Sequence, residues 1–160
     1  MLPDSSYTVY TTANNLTINS SWDVLAGEKY IIIVDGALEI QRPITVDDGG
    51  FLAFVVKNDI QINSDVGTTW DSSTPVVEGM YIAGGAIKTG YTTAEATARF
   101  VGKGMFAANE IITQRSLHDI QAVNHNSDTS ADLFLYNPAF LVTMPDILKD
   151  LSYTWQEVAP

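Results

Sequence analysis

The residues best suited to moving a proton or holding a metal are two histidines, His118 and His125, seven apart in a polar stretch with Asp119 and Asp128. Zinc needs a third protein ligand at a defined spacing, and the chain has no cysteine and no HExxH run, so surface histidines in a loop are the favoured reading. Serines are plentiful, but none sits in a GxSxG elbow. Gly49-Gly50 and Gly84-Gly85 lack the Lys-Ser or Lys-Thr that a phosphate loop places after its glycines. The acidic excess raises calcium. Asp47-Asp48, or Asp119 with Asp128, offer oxygen ligands, yet neither fits the EF-hand loop or the nonapeptide calcium repeat. No cofactor and no metal site are therefore expected. Ring stacking is the remaining chemistry. Trp70 beside Asp71, and Tyr91, lie in polar stretches with the two histidines and are the candidate ligand-binding residues, suited to a sugar face.

The composition narrows what such residues can serve. The 160-residue length suits one domain, and 46% apolar residues can build a core. Only 17% are charged, and the net charge of −11 opposes nucleic acid and anionic membranes. No stretch reaches the roughly 18 apolar residues of a membrane span, so no membrane insertion is expected from this segment. The start Met1-Leu2-Pro3-Asp4 lacks the basic and apolar parts of a signal peptide. The chain is read as a piece of a longer exported protein, with a cytoplasmic protein as the alternative.

An internal repeat must position these groups. Five segments share one grammar: Asn14-Asn15-Leu16-Thr17-Ile18, Gly36-Ala37-Leu38-Glu39-Ile40, Asn58-Asp59-Ile60-Gln61-Ile62, Gly85-Ala86-Ile87-Lys88-Thr89 and Asn109-Glu110-Ile111-Ile112-Thr113. The first position is Gly or Asn, the residues that best tolerate a left-handed bend. The third is Leu or Ile, and the alternation is that of a strand with one buried face. Apolar strands precede the bends: Ile31–Val34, Ala53–Val56, Met80–Ile82 and Gly104–Ala107, with a weaker sixth copy at Leu133–Asn137. Trp22–Gly27 also matches Ile44–Gly49 at a spacing of 22, adding a second bend and a third strand to the rung.

Periods of roughly 20 to 30 residues with two or three short strands indicate a solenoid. The expected fold is an all-β, single-stranded parallel β-helix (β-solenoid) of about five to six short rungs. It forms a single domain over 1–160, with rungs at 14–142 and a C-terminal helical cap at 143–160. Right-handed coiling is the usual outcome for parallel crossovers. Leu16, Leu38, Ile60, Ile87 and Ile111 should form one interior column. An antiparallel sandwich would explain the turns but not the persistent phase. Insertions at 63–75, 90–98 and 116–130 follow the same element in successive rungs and should emerge at one edge. Loop insertion is thermodynamically cheap, so their presence alone does not make a site. The cap is expected as a helix from Met144-Pro145-Asp146 with Ile147, Leu148 and Leu151 on one side, then Tyr153 and Trp155. A sugar platform is the alternative role of those two aromatics.

The run Gly27–Ile40 followed by Gly50–Ile60 resembles the β-solenoid domain of bacterial type IV pilin-like (PilX-related) surface proteins, and the closing Ser152–Pro160 is similar to the ends of such chains. The resemblance covers most of the sequence. It implies a non-enzymatic structural or adhesion domain at the cell surface, with other surface or pilus proteins, or glycan, as partners. It transfers no catalytic residues. Two alternatives stay open: a carbohydrate-binding module on the loop edge, and a glycan-cleaving β-helix enzyme. Enzymes of that kind use clustered Asp with Arg or Lys on one strand face, and Lys57, Lys88, Lys103 and Arg99 make no recognisable constellation of that type.

Overall fold

The structure is a computed structural model that describes residues 7–90, 98–117 and 125–149. Tyr91, His118, Asp119, Leu151, Tyr153 and Trp155 lie outside the described residues. Within them, parallel ladders wind the chain into a β-solenoid of about four turns. One sheet stacks β1 (Thr8–Thr12), β4 (Lys29–Val34), β7 (Phe51–Val56), β9 (Val77–Ala83), β11 (Phe100–Ala107) and β13 (Asp132–Tyr136) in that order. The second stacks β2 (Leu16–Ile18), β5 (Leu38–Ile40), β8 (Ile60–Ile62), β10 (Ala86–Thr89) and β12 (Glu110–Thr113). The third strands of the first two rungs, β3 (Trp22–Val24) and β6 (Ile44–Val46), pair Trp22 with Ile44 and Val24 with Val46, as their 22-residue offset implies. The first rung thus begins at Thr8, ahead of the expected position 14.

The signature positions stack in register. Leu16 pairs with Leu38, Leu38 with Ile60, Ile60 with Ile87 and Ile87 with Ile111. The three inner members are fully buried, whereas Ile111, on the last rung, is 43% exposed. A parallel column in the other sheet runs Tyr10, Ile32, Phe54, Tyr81, Phe106. The Phe54, Tyr81 and Phe106 rings stack face on, 5.5 and 5.2 Å apart and 12° from parallel. Identical column positions place similar side chains one strand spacing apart, which is why no rung buries its apolar face without a neighbour.

The bends are built differently from the left-handed turn expected. Neither Gly36 nor Gly85 has a positive φ; Gly27 and Gly49, at the second bend, do, at 85° and 90°. The reason at the first bend is close approach. The Asn15 Oδ1 accepts the Ala37 N–H at 2.9 Å, and the Asp59 Oδ1 accepts the Ala86 N–H at 2.9 Å. A Cβ on Gly36 would sit 2.7 Å from that Asn15 oxygen, and one on Gly85 would collide with the Asp59 carboxylate. The first-position column reads Asn14, Gly36, Asn58, Gly85, Asn109, with Gly wherever the second residue of the preceding rung is an Asx (Asn15, Asp59) that caps the next rung.

Two expectations about the C-terminal end are corrected. The sixth strand does not continue the phase of its predecessors. Phe134 pairs with Gly102 and Tyr136 with Gly104, so β13 ends three residues short of the end of β11. Pro138 then turns the chain into helix α1 (Ala139–Thr143). The predicted helix from Pro145 is only a 3-10 turn, Asp146–Leu148, with Ile147 58% exposed. Phe140 and Met144 do the burying instead; Phe140 meets Phe51 of β7 edge-on at 6.1 Å. No helix among the described residues is long and apolar enough to cross a membrane.

Candidate functional site at the loop corner

The three insertions leave the same sheet and enter the same sheet: 63–76 joins β8 to β9, 90–99 joins β10 to β11, and 114–131 joins β12 to β13. Topology alone puts their ends at one corner of the solenoid. The described parts of these segments touch. Thr68 and Arg99 form an antiparallel bridge, exchanging backbone bonds of 2.8 and 2.9 Å.

Two buried arginines fasten the corner. Arg115 donates to the carbonyls of Asn63 at 2.9 Å, Ala98 at 3.1 Å and Ser64 at 3.3 Å, and its guanidinium lies 5.3 Å over the Phe100 ring. Arg99 donates to Ser72 O at 2.8 Å and Ser130 O at 3.0 Å. Each planar fork collects carbonyls that a loop leaves without a ladder partner. Burial pulls the Arg115 guanidinium down to about 10, against the favourable charges of Asp132 and Asp65. Burial likewise raises the Asp132 carboxyl, opposed by the Thr89 hydroxyl and by Arg115. The sequence signal for Arg115 was weak, one basic residue after an apolar strand, and nothing in its spacing indicated three carbonyl partners on two other loops.

Of the candidate ligand residues, the structure brings together Trp70 and His125. Their rings stack 4.0 Å apart and 3° from parallel, although 55 positions separate them in the chain. Trp70 keeps 41% of its surface exposed. The His125 Nδ1 is buried, 4.0 Å from the Asp128 carboxylate. Asp71 accepts the Thr69 hydroxyl of its own loop at 2.8 Å. The corner thus offers an aromatic face on a pinned loop frame. It can stack and can donate or accept hydrogen bonds.

Three lysines outside the corner are ion-paired between rungs at separate places. Lys57 meets Asp35 at 2.5 Å, Lys88 meets Asp59 at 2.6 Å and Lys103 meets Glu78 at 2.9 Å. The Asp59 carboxyl is held below its usual range, first by the Ala86 N–H and then by Lys88. Among the described residues no three His, Asp or Glu side chains converge as a metal site. Comparison with known proteins finds no matching family model, no matching curated protein and no matching solved structure.

Proposed function

We propose that this chain is a non-enzymatic structural and adhesion domain of a pilin-like surface protein, in which the solenoid carries a binding corner. The observation behind this reading is the corner itself. Its described loop segments are fixed by Arg99 and Arg115 and present the stacked Trp70–His125 pair. Fixing loops in advance lowers the ordering cost of binding, which suits a recognition surface better than a site that must close around a reaction. Its partners on this reading are other surface or pilus proteins. The test is location: an antibody raised to the 160-residue chain, applied to intact and to permeabilised cells. Labelling of intact cells is expected. Labelling only after permeabilisation contradicts the proposal.

A second reading, carbohydrate binding, has one specific observation in favour: half-exposed Trp70 backed by an aromatic ring, the arrangement on which sugar faces pack. A glycan array probed with wild type and with Trp70→Ala decides it. Binding that the substitution removes supports it, and a uniformly blank array ends it.

A further inference from the structure

At the C-terminal end of the stack the two interior columns stop at Phe106 and Ile111, and a groove of about 450 Å³ opens there. Its walls include Met105, Phe106, Ile111, Phe134, Leu135 and Tyr136, and none of its lining residues is charged. The groove has a topological origin. Because β13 ends opposite Gly104, Met105–Ala107 of β11 have no strand beyond them among the described residues, and neither has β12. Among the described residues, the layer that β13 begins lacks half of one strand and all of another.

The opposite end supplies the matching parts. Following the ladders from rung to rung, Val9, Tyr10 and Thr11 of β1 occupy the same columns as Met105, Phe106 and Ala107, and Leu16 and Ile18 of β2 occupy those of Ile111 and Thr113. Beyond β1 and β2 the described residues again place no strand. Val9 is 44% and Tyr10 55% exposed. From Tyr7 to Trp22 there is no charged residue and no proline, the devices that normally block a free strand edge. On a chain of net charge −11, the N-terminal strip and the groove lining carry no charge, and Glu110 at the start of β12 is the one charged residue in β1, β2, β12 and Met105–Ala107, so end contact is repelled less than lateral contact.

We propose that the occupant of the groove is the first rung of a second copy of this chain, giving a head-to-tail, open-ended assembly through parallel strand addition. Such an interface joins two different surfaces and so leaves one of each free for further growth. The described part of the C-terminal segment argues against self-capping. After Tyr136 the chain runs back along the stack, with Phe140 against Phe51 of β7, three strands from β13 in the sheet order.

Sedimentation velocity on the full 160-residue chain tests this. Wild type should show a mass that rises with concentration above the 17.4-kDa chain. Tyr10→Lys and Ile111→Lys alter exposed positions at opposite ends, and each alone should stay monomeric. Mixed in equal amounts, they should form a one-to-one dimer and nothing larger, since each retains one competent end. Several results would overturn the proposal: wild type monomeric at about 100 µM, far above the dissociation constants of interfaces of standard size; association unaffected by both lysines; or a mixture of the two that remains monomeric. Wild type that assembles only after residues 150–160 are removed would overturn it too, in favour of a tail that fills the groove.

Discussion

Gly85 shows how a single residue type can be read correctly and explained wrongly. The sequence marks it as a bend, and it is one; its backbone is not left-handed, and what demands glycine is the Asp59 carboxylate beneath it. No spacing rule reveals that, because the partner lies 26 residues back and matters only once the rungs are stacked. Gly85→Ala should therefore lower stability by about 1–3 kcal/mol, the usual cost of overpacking, measured by denaturant unfolding. Gly27→Ala is strained instead through its positive φ, with open space around the added methyl. The carboxylates make opposite pH predictions. Asp59 is held low in the fold, so its contribution is complete above the unfolded value near 3.8 and is lost as pH falls through the depressed range. Asp132 is raised by burial, so the fold favours its protonated form, and that contribution fades as pH rises through the raised value. Relative to wild type, Asp59→Asn should flatten the acid limb of a Tm–pH curve, and Asp132→Asn should raise Tm at neutral pH. A neutral-pH Tm lowered by Asp132→Asn would show that pairing with Arg115 outweighs burial.

Among the elements, the strands of the repeat were legible and the last one was misplaced. The signature strands align residue for residue because the same apolar position recurs and has only one buried face. Leu133–Tyr136 carries the same apolar character but no Gly or Asn bend with a following Leu or Ile strand. Its register is set by packing instead: Phe134 contacts Phe100 and Phe106 at 5.4 and 5.1 Å. The loop corner was legible as a location, since three insertions follow the same element, but not as an arrangement. Neither the Trp70–His125 stack nor the Arg115 clamp has a sequence spacing that announces it. Arg115→Ala would remove one donor from the Asn63, Ser64 and Ala98 carbonyls, the first of which keeps the Val66 N–H, and should cost on the order of 3 kcal/mol. It should also shift Trp70 fluorescence by loosening its frame. Arg115→Lys keeps the charge but not the fork and should recover only part of either effect. A fluorescence spectrum unchanged by Arg115→Ala would detach the clamp from the binding corner. In the sheet, Phe54→Ala removes a fully buried ring from the aromatic column and should cost about 3–5 kcal/mol in denaturant unfolding.

At the scale of the molecule, corner and open end both depend on one geometry, a continuous parallel stack in fixed register. It puts the insertions at one corner, leaves a half-filled layer at one end and sets a matching rung at the other. This much was readable from the chain because a repeat turns local pattern into long-range contact. The direction taken by the C-terminal segment was not readable, since it follows from packing of Phe140 and Met144 and obeys no repeat. The chain has no cysteine, so a pair of spin labels can be placed without background. Thr11 and Ala107 are exposed and occupy the first and fifth positions of one column, through Ile33, Val55 and Ile82. Four strand spacings separate them, about 19 Å between backbones. Pulsed dipolar spectroscopy on the doubly labelled chain, diluted in unlabelled protein to suppress contacts between copies, should give one narrow distance near that value. A broad distribution, or a distance far from it as in a sandwich with these strands on different sheets, would contradict the stack and with it the corner and the open end.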